Sequence, residues 1–363
     1  MIPLSDLSRL DQELRHRITS GISDVLESGW FLRGTVTDRL ERRLSDWVGI
    51  QKVVTVGNGT DALVLALLSL GVGPGSRVAT VANAGGYTTG ATLRLGAQPV
   101  FVDVDVADAQ MDPGSLEQLL YSSSPPDVVV MTHLYGQVGP VDEIVALCSH
   151  FGVPLIEDCA QALGARADGR FAGTFGHVGT TSFYPTKNFG AMGDGGAVLT
   201  DSDVLAARVS SLAQYGWGTR FHVDQMGGLN SRLDEVQAVV LDVLLDSLAE
   251  RNARRREICR RYAASLGGHR RLIGSLDERF IGHLAVVVTE SRDRDRSLLE
   301  EASIQTGVHY PVPDHHQVGW QSVLETWELP RTEWITDRVL TVPCFPELTE
   351  VEVDSICNAL SSL

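Results

Sequence analysis

A chain of 363 residues, 43% hydrophobic and 21% charged, reads as a globular protein with a sizeable core and room for about two domains. Its formal net charge of −16 would repel a polyanion over most of the surface, which argues against nucleic-acid binding while leaving room for a local site for a small phosphorylated ligand. Five scattered cysteines (Cys148, Cys159, Cys259, Cys344, Cys357) with no CxxC spacing argue against a disulfide framework or a zinc site. No run approaches the ~18 apolar residues of a membrane helix, and the start Met1-Ile2-Pro3-Leu4 lacks a signal peptide's basic and apolar regions, so a cytoplasmic protein is expected.

In chain order, residues 10–50 are predicted as two helices flanking the loop Gly29-Trp30-Phe31-Leu32-Arg33-Gly34. Short apolar runs follow at 53–56, 77–81, 99–104, 127–131, 154–157, 180–183 and 197–199, with helical patterns such as 61–70 and 141–151 between most of them. Near-continuous apolar strands alternating with helices predict an α/β fold, a largely parallel sheet covered on both faces. After Asn230 the pattern changes. Residues 231–266 carry apolar side chains at helical spacing and then become arginine-rich, predicting one long helix or two. A smaller α+β part is expected beyond it, with a strand near 284–288 and helices near 294–303, 333–340 and 350–360. The expected domains are 1–250 and 251–363.

Three segments could carry chemistry. Gly57-Asn58-Gly59-Thr60 lies between a predicted strand and a predicted helix, where free N–H groups and the helix dipole suit a phosphate; alone, it reads first as a plain turn and helix cap. Asp158 ends the strand Val153-Pro154-Leu155-Ile156-Glu157, and the carboxyl ends of parallel strands are where ligands bind, although Asp158 could equally cap the helix after it. Gln161 follows three residues later. Lys187 sits in Ser182-Phe183-Tyr184-Pro185-Thr186-Lys187-Asn188-Phe189-Gly190, ahead of Gly193-Asp194-Gly195-Gly196. The 30 basic residues include only two lysines, Lys52 and Lys187, so a general solubilising role for Lys187 is unnatural. A lysine in a glycine-flanked turn can hold pyridoxal phosphate as a Schiff base, while an aspartate keeps the pyridine nitrogen protonated.

These segments, with His133-Leu134-Tyr135-Gly136-Gln137, Glu157-Asp158-Cys159-Ala160-Gln161-Ala162, Asn230-Ser231-Arg232-Leu233-Asp234-Glu235 and His309-Tyr310-Pro311-Val312-Pro313, closely resemble the DegT/StrS family of sugar aminotransferases that use pyridoxal phosphate (PLP), in order along nearly the whole chain. The resemblance implies the type I, aspartate aminotransferase-like fold, with a mostly parallel seven-stranded sheet and a smaller C-terminal α+β domain. It implies PLP as cofactor, a homodimer with shared active sites, a nucleotide-sugar substrate and an amino-acid donor, and no metal. It assigns Lys187 as the Schiff-base lysine, Asp158 as partner of the pyridine nitrogen and Gln161 as a ring neighbour. Gly59, Thr60 and Ser182 would hold the phosphate, Asn230 would reach the neighbouring subunit's phosphate, and Tyr87 would cover the ring. Freed Lys187 would shuttle the proton, its pKa lowered by burial and nearby cations, with ping-pong kinetics.

Gln214-Tyr215-Gly216-Trp217 with Gly227-Gly228-Leu229-Asn230 resembles enzymes that aminate C3 of dTDP-linked 3-keto-6-deoxyhexoses, with L-glutamate as the family's usual donor; C4 amination, or a UDP-linked sugar, is the competing expectation. Trp30, Phe31, Tyr184, His309, Tyr310 and His315 are expected at the sugar site. His315 and His316 could ligate a metal, but no third ligand is evident in sequence. The arginine-rich stretch 251–261 reads as a solvated helix face from which one arginine could meet a diphosphate. The rival readings are a PLP-binding regulator, a purely structural subunit, and a sugar dehydratase, whose family carries histidine where this chain has Lys187.

Overall fold

The computed structural model describes all residues, 1–363. Seven strands form the central sheet: β1 (Lys52–Val56), β2 (Arg77–Val81), β3 (Gln98–Val102), β4 (Val128–Thr132), β5 (Leu155–Asp158), β6 (Val178–Ser182) and β7 (Gly196–Thr200), in spatial order β1-β7-β6-β5-β4-β2-β3. β7 alone runs antiparallel, pairing with both β1 and β6, so the other six strands point the same way. The carboxyl ends of β1, β5 and β6 therefore share one edge, which is what brings the three chemical segments together.

The period of two along each strand decides which layer a residue joins. Val78, Val128, Val130 and Ile156 pack on one face, beneath a helix running Gly59–Ser69, while Ala79, Val129, Met131 and Leu155 pack on the other. That helix is buried from Ala62 to Leu67, lying between the sheet and its neighbours, so it is apolar all round rather than amphipathic. Each fully buried Leu or Val contributes about 1.5–3 kcal/mol, and Leu65→Ala would cost roughly 2–5 kcal/mol.

The helices are α1 (Gln12–Ser28), α2 (Thr35–Val48), α3 (Gly59–Ser69), α4 (Tyr87–Arg94), α5 (Pro113–Leu120), α6 (Val141–Phe151), α7 (Asp203–Leu212), α8 (Glu235–Leu244), α9 (Leu248–Ser265), α10 (Arg292–Glu301), α11 (Pro330–Thr336) and α12 (Glu350–Ser361). α2 buries Leu40, Leu44 and Val48 at a spacing of four, while Glu41 turns to β1 and accepts from the Thr55 N–H at 2.8 Å. Its N-cap, Gly34, has no side chain to cap with. The buried carboxylate of Glu235 on α8 does so instead, accepting from the N–H groups of Gly34 (2.8 Å), Val36 (3.0 Å) and Thr37 (3.0 Å).

A second sheet of three antiparallel strands, β8 (Arg271–Leu272), β9 (Ala285–Val288) and β10 (Val339–Val342), packs with α9 and α12 around Ile258, Tyr262, Phe280 and Ile356. The expected helix at 333–340 is corrected here: α11 stops at Thr336, and Val339-Leu340-Thr341-Val342 pairs with β9 from Val339↔Val288 to Val342↔Ala285. β-branched residues facing a ready partner strand prevail over a helical spacing that four residues barely define. Of the one long helix or two expected over 231–266, the structure has two, α8 and α9, joined by a 3₁₀ turn, Leu245–Ser247. The expected boundary at residue 250 falls inside α9.

Candidate active site

A cavity of about 540 Å³ opens at the shared carboxyl edge of the sheet, between the large sheet and the smaller one. It is lined by Gly59, Thr60, Asp158, Ser182 and Lys187 from the first, and by His309 and Tyr310 with Thr341 from the second. Tyr87 and Tyr184, 49% and 52% exposed, stand at its mouth.

The phosphate end is built by α3 and β6. Asn58 caps the helix by accepting from the Asp61 N–H (2.8 Å), which leaves the N–H groups of Gly59 and Thr60 without partners inside the helix. A Cβ on residue 59 would lie 2.6 Å from Ser182 Cβ, so glycine is what lets the helix end approach the strand end. This cradle, of two free N–H groups and two hydroxyls, fits a dianion.

Asp158 lies at the opposite side, at the end of β5, 5% exposed. Its Oδ1 accepts from the Ala160 N–H at 3.1 Å, whereas Oδ2 accepts nothing from the protein and is open to the cavity. Burial raises the Asp158 pKa, an effect opposed by that hydrogen bond and by the charge of Lys187. Adjacent Glu157 points to the other face, as a strand requires, and is fully buried. It accepts from the N–H groups of Gly173 (2.9 Å), Phe175 (2.7 Å) and Gly176 (2.7 Å) and from His133 Nε2 (2.9 Å). Since the Gly139 N–H donates to His133 Nδ1 at 3.1 Å, the network assigns the proton to Nε2. This array fixes the end of β5 from beneath.

Lys187 sits on a turn whose N–H donates to the Tyr184 carbonyl (2.8 Å), pinned on both sides by Phe183 and Phe189, buried and packed edge to face at 5.4 Å. Its ammonium makes no ion pair, unlike that of Lys52, which meets Asp203 at 2.8 Å. Burial lowers the Lys187 pKa to about 8 against the opposing pull of Asp158. Nearby cations, expected to contribute, do not: burial is the only cause acting downward.

The ceiling is a chain of aromatics. Gln161 accepts from the Tyr135 N–H (2.6 Å) and donates to the Tyr310 hydroxyl (3.1 Å), while the Tyr135 hydroxyl donates to the His309 carbonyl (2.5 Å). Burial raises both phenols, keeping them neutral donors. Gly85, at φ +81°, lets the Tyr310 ring approach to within 2.8 Å of where a Cβ would stand, and Tyr87 meets that ring edge-on at 6.2 Å. Asp314, 1% exposed, locks the 307–331 loop to α4 by accepting from the Thr89 hydroxyl; burial raises its carboxyl to about 7.

Nine of the fourteen residues singled out in sequence thus line one cavity, and Gln161 stands directly behind it. The others are elsewhere in the single chain. Trp30, 64% exposed, borders a separate cleft between α1, α2 and α8; Phe31 is 51% exposed, and Asn230 is exposed beside Arg232. His315 faces away from the cavity, its Nε2 3.1 Å from Glu333, with His316 3.7 Å from the same carboxylate. Glu333 is the acidic neighbour that sequence did not reveal. Sequence reasoning also missed Ser5, Arg255 and His283 in the cavity wall. Arg255 lies on the buried stripe of α9 with Asn252, Ile258, Cys259 and Tyr262, a position that the run of arginines around it conceals in sequence.

Comparison with known proteins gives the same outline. The DegT/DnrJ/EryC1/StrS aminotransferase family pattern matches residues 12–361. A UDP-N-acetyl-3-dehydro-alpha-D-glucosamine 3-aminotransferase of Acidithiobacillus ferrooxidans is 36% identical, covering 99% of this chain and 97% of its own. A dTDP-3-amino-3,6-dideoxy-alpha-D-galactopyranose transaminase of Aneurinibacillus thermoaerophilus is 35% identical, covering 99% of each chain. The crystal structure of S. venezuelae DesV superposes with a TM-score of 0.94 at 34% identity, covering 99% of this chain and 98% of that one.

Proposed function

From the premise that the chain belongs to the DegT/DnrJ/EryC1/StrS aminotransferase family, and is a PLP-dependent sugar aminotransferase, we propose that it transfers an amino group from L-glutamate to C3 of a dTDP-linked 3-keto-6-deoxyhexose. The observation that carries the reading is the facing pair in the cavity: a lysine with no ion-pair partner and an aspartate with one oxygen free. C3 is supported by the two curated relatives, each named for amination at that carbon. The first of them acts on a UDP-linked sugar, which favours a second reading in which the nucleotide is uridine.

The residues present fit the cofactor. The α3 end, with Gly59, Thr60 and Ser182, would hold the phosphate, Asp158 Oδ2 would accept from the protonated pyridine nitrogen, and Lys187 would anchor the aldehyde carbon. Bound pyridoxal phosphate supplies an electron sink for the bond broken at the donor's Cα. The protein's own part is proton handling and exclusion of water. With a pKa near 8, Lys187 Nζ is partly neutral at pH 7 and could take the Cα proton and hand it to the cofactor's aldehyde carbon; in the second half-reaction it would move a proton from that carbon to the sugar carbon. Burial disfavours the charged form of Asp158 and a facing cation favours it, so the carboxylate and a protonated nitrogen would stabilise each other. Tyr310, held by Gln161, and Tyr87 wall the ring's side of the cavity.

The protein would work as a cytoplasmic homodimer, in which a second copy brings Trp30, Phe31 and Asn230 to the site; their exposure in the single chain supports this. Light scattering would show a dimer, and a monomer with full activity would refute the shared site. For the chemistry, enzyme and L-glutamate are incubated with dTDP- and UDP-linked 3-keto sugars and a 4-keto control. Mass spectrometry should find the carbonyl oxygen replaced by an amino group in a 3-keto substrate. Product from the 4-keto sugar alone overturns the C3 assignment.

A further inference from the structure

A metal ion is held by lone-pair donors that the fold has already gathered at the right separation, and one such group stands outside the cavity. His315 and His316 sit on a short 3₁₀ turn, Asp314–His316, in the 307–331 loop, and Glu333 is on α11. Glu333 Oε1 lies 3.1 Å from His315 Nε2 and 3.7 Å from His316 Nε2, and one ligand atom from each residue falls within 4.8 Å of the other two. Two donors each about 2.1 Å from a tetrahedral ion stand about 3.4 Å apart, and the two measured separations bracket that value.

The charge balance also suits a cation. Glu333 meets no arginine or lysine, although Arg331 precedes it by two residues; that guanidinium is spent on Asp112 (2.9 Å) and Asp103 (3.3 Å). Two imidazoles, neutral when they ligate, and one carboxylate carry a single negative charge, so the cluster is short of a positive partner. Its shape is held from beneath. The His315 side chain, 2% exposed, has its ring centroid 6.1 Å from that of Phe101, and its Nδ1 is enclosed without a partner whichever nitrogen carries the proton, so Nε2 is the nitrogen that serves the cluster. Asp314, one residue earlier, is tied to Thr89 on α4. The His316 and Glu333 side chains are 53% and 41% exposed, so an ion can enter from solvent and keep a water as its fourth ligand.

We propose that His315, His316 and Glu333 bind one divalent transition-metal ion of the zinc type, which clips the 307–331 loop to α11. Two nitrogens and one carboxylate oxygen suit zinc, cobalt or nickel, whereas magnesium and calcium take shells of oxygen. Because His315 faces away from the cavity, the ion takes no part in amino transfer, and the assignment stands independently of the substrate proposed above. Its effect reaches the cavity through the chain: the same loop carries His309 and Tyr310 into the cavity wall, and holding residues 315 and 316 against residue 333 steadies that loop.

The test uses the holoenzyme, stripped with a chelator, and the variants His316→Ala and Glu333→Gln, with His150→Ala, an exposed histidine on α6, as control. Both cluster side chains reach solvent, so circular dichroism of the metal-free variants should be unchanged and a lost affinity is a lost ligand. Calorimetric titration with zinc(II) should show one ion per chain for wild type and control, with affinity at least about 10-fold weaker in each cluster variant. Cobalt(II) should develop the visible band of a tetrahedral site in wild type and lose it in both. Zinc(II) should raise the melting temperature of wild type and leave that of the cluster variants where it was. The site is overturned if wild type binds no zinc, if either cluster variant keeps wild-type affinity, or if His150→Ala loses as much. Magnesium bound as tightly as zinc would overturn it too. Zinc bound at the cluster with no rise in melting temperature would overturn the clip.

Discussion

Gly59→Ala separates the phosphate cradle from every other part of the site. The new Cβ would stand 2.6 Å from Ser182 Cβ, 3.0 Å from its Oγ and 3.2 Å from its Cα, where carbon atoms need about 3.5–4.0 Å. Ser182 cannot retreat, because it ends β6 in register with Gly196 of β7. The α3 end must move instead. Overpacking of this kind costs about 1–3 kcal/mol, offset by up to ~1 kcal/mol from replacing a helical glycine with alanine, so apo-protein stability should fall by no more than about 3 kcal/mol. Cofactor binding should suffer more. Displacing one N–H from a phosphate forfeits about 1.5–3 kcal/mol, a roughly 10- to 150-fold loss of affinity. Absorbance titration of the apoenzyme with pyridoxal phosphate measures it, and pyridoxal, which lacks the phosphate, is the control. The reasoning is refuted if pyridoxal phosphate binds the variant within twofold of wild type, or if pyridoxal loses as much affinity.

Asp158→Asn retains an oxygen for the Ala160 N–H but cannot hold a cationic nitrogen, so transamination should drop by about 100-fold or more in steady-state assays while circular dichroism is unchanged; near-normal turnover would sink that role. In the apoenzyme, the rate at which pyridoxal phosphate becomes reducible onto Lys187 by borohydride should rise with pH through about 8, because burial depresses its pKa and only the neutral amine reacts; a midpoint near that of a free lysine argues otherwise. The Asp314 carboxyl, raised by burial to about 7, binds a proton in the fold that the unfolded chain has released, so stability should decline between roughly pH 4 and 7 and then level. Asp314→Asn should abolish that slope in pH-dependent urea melts and leave the protein more stable above pH 7; superimposable profiles would refute it.

The strand-and-helix alternation was legible because each run is long and apolar enough to mark its period, and all seven strands of the large sheet overlap their expected positions. β8 and β10 were not: two residues define no period for β8, β10 follows directly on a helical pattern, and pairing with β9 decides both. Gly59, Asp158, Ser182 and Lys187 were legible for a related reason: each lies on or within a few residues of a strand's carboxyl end, so knowing the strands nearly fixes their place. Arg255 was hidden among the arginines of 251–261, and only the fold shows which of them turns inward. Glu333, brought beside His315 and His316, lies 17 residues from the nearer of them and on another element.

The chain by itself determined the layers, the strand ends and the residue types at them, because those follow from local spacing and backbone hydrogen bonding. Only the tertiary structure decided what faces what: the free oxygen of Asp158, the unpaired amine of Lys187 and the inward turn of Arg255. A charge's partner, or the lack of one, is a matter of distance in space, and neighbours in the sequence do not set it.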